Sequence, residues 1–173
     1  MIRTVLVLAI GISLPLFAQN VPPGLGQGWM PEFDDAAQQL VSLAEATPAE
    51  QFGWRPRAGV RSVSEVYMHL AIANYYLMGQ AGAKIPADIA AKLKPDTEKG
   101  VTAKADVIQW LKDSQEFVRS NYANLDKQKK VKFFGKDTTA DGILLRILVH
   151  ENEHMGQSVA YARMIGVVPP WSK

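Results

Sequence analysis

Apolar residues recur at helical spacing in four long segments of the chain. In the first segment, Phe33, Ala37, Leu40 and Ala44 follow one another at intervals of three or four residues, which places them on one face of a helix. The four segments are Pro31 to about Ala46, Ser62 to about Gln80, Thr102 to about Leu125, and Thr139 (or Thr138) to about Ile165. We therefore predict four long helices.

Signals at the ends of these segments support the helices. Ser62 and Glu65 have the spacing of a capping box, in which the serine caps the helix and the glutamate reaches back. Gly82 follows the second segment, and Gly166 fits the C-terminal position after the fourth. The second and fourth helices therefore each have a stop signal.

The links between the segments contain little that is regular. Residues Pro86 to Leu93 could form a short connecting helix that Pro95 ends, and Lys130 to Phe134 is too short to assign as a strand. Five lysines lie between Lys127 and Lys136, which favours a solvated loop; an anionic-ligand site is a minor alternative. Together, the pattern predicts an all-α fold, an antiparallel four-helix bundle with a short extra helix.

The first residues have the pattern of an export signal. Arg3 is positive, Val5 to Phe17 is almost continuously apolar, and Ala18 is small. The apolar run is well short of the roughly 20 residues that a spanning helix needs. We predict a signal peptide over residues 1–18, an extended leader over 19–30 and a helical domain over 31–173, in a periplasmic or extracellular protein. Leu16 is not an ideal residue two positions before the cleavage site, so an uncleaved membrane anchor is the alternative. After cleavage we expect no stable membrane insertion.

Composition excludes several classes of site. The chain has 173 residues and no cysteine, which rules out disulfides, thiolate ligands and a cysteine nucleophile. The formal net charge of +2 is too small to indicate nucleic acid as a partner. We expect a small-molecule ligand or substrate instead, and the exposed faces of the first and third helices could pair in a homodimer.

The chain contains three histidines, and their placement is the strongest chemical signal. His150 and His154 lie one turn apart on the last helix, which puts both rings on one face, and His69 lies on the second helix. If those two helices are neighbours, three imidazoles can converge on one ion. The alternative is that these histidines bind no metal and are ordinary solvated or core residues. Three protein ligands would leave a position open for water or substrate.

Other polar residues share the faces of the histidines. Gln157 and Tyr161 are weak catalytic candidates on the ligand face, although packing is as good an account of Tyr161. Glu65 and Tyr76 are further candidates on the second helix, with a solvated glutamate and a core tyrosine as the default expectations.

The run H-E-N-E-H from His150 to His154 also matches the H-E-x-x-H signature of zinc peptidases. In that hypothesis Glu151 is a weak candidate for the general base. However, the chain has no Asp, Glu or His after His154 that could be the downstream third ligand. On an ideal helix, Glu151 and Glu153 both point away from the ligand face, so we expect them to be exposed or to support a ligand.

Two motif blocks resemble the DinB-like (YfiT-type) family of four-helix bundles. The last helix carries H-E-N-E-H-M-G-Q, followed by Tyr161, Arg163 and Gly166, where the family has H-x-x-H-H-R-G-Q before a similar tail. The segment F-G-W-R-P-R-A-G-V-R-S-V-S-E-V-Y-M-H-L looks like the family's entry into its second helix and ends near its first metal histidine. Glu153 and Met155 depart from the family pattern.

The resemblance implies a divalent metal, variously zinc, nickel, iron or manganese, held by His69, His150 and His154. It also implies a metal-dependent hydrolase or a thiol-dependent transferase, since characterised members use low-molecular-weight thiols. An export signal fits thiol chemistry poorly, because such thiols are mainly cytoplasmic. A non-enzymatic metal- or ligand-binding bundle is the alternative, and an H-E-x-x-H zinc peptidase is a minor one.

Overall fold

The computed structural model describes residues 24–172 and forms a bundle of four long helices. Two short helices, a β-hairpin and a 3₁₀ turn connect them, and a second 3₁₀ turn follows the last helix. The helices are α1 (Trp29–Ala46), α2 (Val63–Ala81), α3 (Ala87–Ala90), α4 (Thr97–Gly100), α5 (Lys104–Tyr122) and α6 (Ala140–Met164). The strands are β1 (Lys130–Phe133) and β2 (Lys136–Thr139), and the 3₁₀ turns are Ala49–Gln51 and Pro170–Ser172. The predicted all-α bundle is confirmed.

Helix α2 lies between α5 and α6, and side-chain contacts show the direction of each neighbour. Asn74 of α2 donates to Glu151 of α6, while the earlier His69 lies against the later His154, so α2 and α6 are antiparallel. Asn74 also donates to Ser114 of α5. The earlier halves of α2 and α5 share one apolar cluster and their later halves share another, so these two helices are parallel. The segment 82–103 therefore carries the chain back along the bundle before α5 begins, and this parallel pair corrects the expectation of a wholly antiparallel bundle.

Two apolar clusters fill the bundle, with a polar layer between them. One cluster contains Leu40, Phe52, Val66, Tyr67, Met68, Leu70, Val107 and Leu111, and the other contains Phe33, Leu77, Met78, Val118, Ile143, Leu144 and Ile147. Between them along α2, α5 and α6 lie Asn74, Ser114, Gln115 and Glu151, each at most 1% exposed. We call these four residues the buried polar layer.

The predicted helix ends are also present. Ser62 and Glu65 form the reciprocal capping box, with the Glu65 amide donating to Ser62 Oγ (3.3 Å) and the Ser62 amide donating to Glu65 Oε2 (2.8 Å). Thr139 Oγ1 accepts from the amide of Gly142 at the start of α6. Gly82 and Gly166 have φ of 113° and 80°, the left-handed conformation that glycine adopts without strain.

The structure differs from the sequence-based expectation at three further places. Helix α1 begins at Trp29, inside the predicted leader, because the Trp29 ring stacks on Tyr122 and its Nε1 donates to the carbonyl of Leu144. The undecided segment after Lys129 is a hairpin, with β1 paired to β2. The four-residue helix α4 was not predicted at all.

The predicted signal peptide and the first five residues of the predicted leader, residues 19–23, lie outside the described residues. In the part of the chain that the structure describes, no helix has both the length and the apolar character to cross a membrane.

Candidate metal centre

The three histidines come together between α2 and α6. His150 Nε2 lies 3.1 Å from His69 Nε2 and 3.1 Å from His154 Nε2. The three ligand atoms all lie within 4.8 Å of one another. The antiparallel packing of α2 on α6 brings His69 to the pair, which already shares one face of α6. The structure thus has the juxtaposition that the sequence predicted.

Hydrogen bonds at the far side of two rings determine where their lone pairs point. His69 Nδ1 lies 3.1 Å from Glu98 Oε2, and His154 Nδ1 lies 2.8 Å from Gln157 Oε1. Both oxygens are acceptors, so each Nδ1 carries the proton and donates. The Nε2 atoms of His69 and His154 therefore present lone pairs toward His150.

This arrangement fits a cation. Only His150 could carry a proton on Nε2, and that proton could serve one neighbour, whereas an ion would serve all three nitrogens. Two nitrogens bound to one tetrahedral metal at about 2.05 Å are about 3.3 Å apart, close to the observed 3.1 Å separations. In addition, a metal-bound histidine characteristically donates its other N–H to a carboxylate or amide oxygen. The donor set, the spacing and the tautomers of His69 and His154 suit a divalent metal, while His150 Nδ1 has no hydrogen-bond partner among the described residues.

A second set of contacts holds the supporting residues in place. Arg61 Nε donates to Glu98 Oε1 at 2.7 Å, which fixes the carboxylate that orients His69. Gln157 Nε2 donates to the Tyr161 hydroxyl (3.0 Å), and that hydroxyl donates to the carbonyl of Arg61 (3.3 Å). Both supports therefore converge on Arg61, in the loop that leads into α2.

The surroundings keep two of the imidazoles neutral. Burial, together with the neighbouring His154, His69 and Arg146, lowers the pKa of His150 to about 3, against the opposing influence of Glu153. Burial also lowers the pKa of His69, and Arg61 and His154 add to this effect against the opposing influence of Glu98. Neutral imidazole is the form that binds metals. These two side chains therefore need lose no proton to bind an ion near neutral pH.

The weak catalytic candidates have separate places. Gln157 and Tyr161 lie on the ligand side and form the chain of hydrogen bonds that supports His154. Glu151 lies in the buried polar layer, fully inaccessible to solvent, with Oε1 accepting from Asn74 at 2.7 Å. It is thus neither exposed nor in contact with a histidine ligand. Its position removes the geometric basis for a peptidase base, since such a base must face the open position of the ion.

The other glutamates and Tyr76 also have definite places. Glu153 is exposed and pairs with Arg146 at 2.6 Å, as expected. The default expectations for Glu65 and Tyr76 were wrong. Glu65 is 8% exposed, because it belongs to the capping box and pairs with Arg55, while Tyr76 is 45% exposed, because its side chain lies at the groove between α2 and α6.

Sequence reasoning missed Glu98 and Arg61. Glu98 lies 29 positions from His69 on a four-residue helix that has no periodicity of its own. Nothing in the local sequence pairs either residue with a histidine. Only the return of segment 82–103 along α2 brings Glu98 to the site.

The comparisons agree with this fold. The model of the DinB superfamily matches residues 32–158. Among solved structures, a DinB-like protein from Bacillus cereus is similar, with a TM-score of 0.71 and 17% sequence identity. That match covers 83% of this chain and 95% of the Bacillus cereus chain, and at this identity it shows the fold alone. A search of functionally curated proteins finds no match.

Proposed function

The chain belongs to the DinB superfamily, and from that premise we propose that it is a metal-dependent enzyme acting on a small molecule. In this proposal His69, His150 and His154 hold one divalent ion. The observation that carries it is the convergence of the three Nε2 atoms. The Nδ1–H groups of His69 and His154 donate hydrogen bonds to Glu98 and Gln157.

Three ligands suit catalysis better than a structural role. The group has three members among residues 24–172, whereas structural zinc sites are closed by four protein ligands. When bound, the ion would supply Lewis-acid chemistry, by lowering the pKa of a water or by binding a thiolate. Zinc, nickel, iron and manganese are the candidates, since imidazole ligands do not separate them.

The chain's own residues would prepare the site. Glu98 and Gln157 hold two imidazoles in the tautomer that binds a metal, and Arg61 fixes the Glu98 carboxylate. Burial and the neighbouring His154, His69 and Arg146 keep His150 neutral. The rings of His69 and His150 are only partly buried, so the ligand group remains accessible from the groove between α2 and α6.

Of the two reaction classes, we propose hydrolysis ahead of thiol transfer. The support is the apolar segment Val5 to Phe17, which has the pattern of an export signal. In a periplasmic or extracellular location the common low-molecular-weight thiols would be scarce, while water is always present.

Metal analysis of the full chain, purified without a histidine tag, tests the site. We expect about one equivalent of divalent metal in the wild type by mass spectrometry, and less than about a tenth of that in His154→Ala. The matched control is Asn152→Ala on the same helix, since Asn152 is exposed and its amide donates to the carbonyl of Leu148 in that helix. It should keep the full equivalent.

A screen of ester, amide and phosphoester substrates, alongside thiol-transfer assays, then tests the reaction. Turnover that needs the metal and is lost in His154→Ala supports an enzyme. A protein that retains no metal contradicts the whole proposal. Stoichiometric metal with no turnover on any substrate, together with a large chelator-induced loss of stability, would instead indicate a non-enzymatic binding bundle.

A further inference from the structure

A cleft adjoins the histidine group on the side of His150. It encloses about 450 Å³, within the range of small-molecule sites. One wall is the α2 face with Ala73, Tyr76 and Leu77, and the opposite wall is α6 with Arg146 and His150. Phe133 and Phe134 of the β1–β2 hairpin close it. We call it the hairpin cleft; one of its walls ends in a residue of the metal site.

Phe134, at the tip of the β1–β2 hairpin, has a strained backbone conformation. Phe134 and Gly135 are the two central residues of the turn, with φ of 47° and 77°. A two-residue turn with both φ positive strongly prefers Asn-Gly, because a bulky side chain is strained in the left-handed region. Phe134 is the non-glycine residue with positive φ among residues 24–172, and its side chain is 82% exposed. Neither turn geometry nor burial therefore explains a phenylalanine here.

The chemistry of the walls indicates what the cleft would accept. Most of the lining is aromatic or aliphatic, and Tyr76 is 45% exposed along it. The one cationic side chain, Arg146, already pairs with Glu153 at 2.6 Å. An anionic group would have to compete for that arginine, so the lining favours an uncharged apolar body.

We infer that the hairpin cleft binds the apolar body of a small-molecule substrate, an aromatic ring or a branched aliphatic group, whose polar end faces the ion held by His69, His150 and His154. The inference rests on the proposed metal centre and adds the substrate class. Phe134 acts as a positioning residue that covers the apolar body, which accounts for its strained and exposed position.

Two hydroxamic acids test the inference. Acetohydroxamic acid and benzohydroxamic acid share one metal-binding group and differ by a methyl against a phenyl group. We expect the zinc-loaded protein to bind the phenyl compound about 30-fold more tightly by calorimetry, since the ring would be removed from water in the cleft. Binding is read directly, so the test does not depend on finding a substrate.

The variant Phe134→Asn gives a second, independent readout. It supplies the preferred Asn-Gly turn, so we expect a higher midpoint of thermal unfolding for the metal-free protein. We also expect at least a fivefold loss of benzohydroxamate affinity, with acetohydroxamate affinity unchanged within twofold. The matched control is Leu145→Asn, which changes an exposed leucine on α6 outside the cleft and should alter neither affinity.

Each outcome decides the matter. If both hydroxamates bind equally, or if the phenyl advantage survives in Phe134→Asn, the metal centre stands and this inference is overturned. If neither compound binds, the proposed function fails and this inference fails with it. If Phe134→Asn changes the sedimentation of a self-associating wild type, the cleft belongs to a second copy of the chain and the inference is likewise overturned.

Discussion

His150 and Glu151 are neighbours in the chain, yet they belong to two different polar groups that α2 and α6 build together. His150 turns toward the groove and joins His69 and His154. Glu151 turns into the bundle and joins Asn74 in the buried polar layer. One residue of helix separates a partly accessible site from a closed one, because successive side chains differ by about 100° around the axis.

The two groups solve their electrostatics differently. In the histidine group the nitrogen lone pairs converge, and the group itself has no donor that could satisfy all of them. This favours an added cation. In the buried polar layer Glu151 Oε1 and the Asn74 amide satisfy each other, although Glu151 Oε2 and Asn74 Oδ1 have no partner among the described residues. We therefore infer that the histidine group serves a ligand and that the buried polar layer serves the fold. The H-E-x-x-H spacing alone does not distinguish them.

The largest expected effect breaks the buried polar layer. Asn74→Ala removes the donor to Glu151 and leaves a buried carboxyl unpaired, so we expect the free energy of unfolding to fall by about 3 kcal/mol. Urea unfolding at neutral pH with chelator measures it, and Asn152→Ala should stay within about 0.5 kcal/mol of the wild type.

Replacing both Asn74 and Glu151 by leucine should recover most of the stability lost in Asn74→Ala, since an apolar pair of similar volume needs no hydrogen bonds. A double variant less stable than Asn74→Ala would show that these two side chains do more than satisfy each other's hydrogen bonds.

Opposite pH dependences should separate the two neighbours. Burial raises the pKa of Glu151 to about 7, against the opposing effects of Asn74, Arg119 and Gln115. Its contribution to stability is therefore complete below its unfolded pKa of about 4.5 and is lost as pH rises through 7. Burial lowers the pKa of His150 to about 3, so stability is lost as pH falls from about 6.5 toward 3.

Between pH 4.5 and 6.5 the two effects oppose each other in the metal-free wild type. As pH rises across this window, the free energy of unfolding of Glu151→Gln should increase by about 2 kcal/mol relative to that of the wild type. That of His150→Gln should decrease by a similar amount relative to the wild type. Urea titrations at four pH values give both slopes. Equal slopes for the two variants would show that the neighbours do not occupy different environments.

The support of His69 should affect the metal and hardly the fold. We expect Glu98→Gln to weaken zinc affinity by 10- to 100-fold, roughly 1.4–2.7 kcal/mol, because the charged acceptor behind His69 is lost. Competition with a chromophoric chelator measures it. Glu116→Gln, on an exposed position of α5, serves as the control. Undiminished affinity in Glu98→Gln would confine Glu98 to a structural role.

The smallest effect lies outside both groups. Ser62→Ala removes the capping hydrogen bond to the Glu65 amide, so we expect a loss of about 1 kcal/mol in unfolding free energy. Zinc affinity should stay within twofold, because the cap stabilises α2 as a whole. Ser120→Ala, at an exposed position in the last turn of α5, is the control for thermal unfolding. A loss of zinc affinity as large as that in Glu98→Gln would mean that the cap also positions His69.

The fold and the ligands were largely readable from the sequence, and the support of the ligands was not. Helical periodicity, the Ser62 cap and the glycine at 82 predict α2, and the spacing of His150 and His154 predicts one shared face. The hairpin escaped prediction because strands of four residues carry too little alternation. Glu151 was ambiguous because a helix position indicates a direction, while the neighbouring helix determines what lies there.

Short-range periodicity and residue type thus specify the four helices, most of their ends and the three candidate ligands. Tertiary packing places Glu98 behind His69, buries Glu151 in the core and brings Phe134 to a cleft beside His150. Those relations join residues far apart in the chain. They depend on how segment 82–103 and the hairpin return to the bundle, which no local pattern encodes.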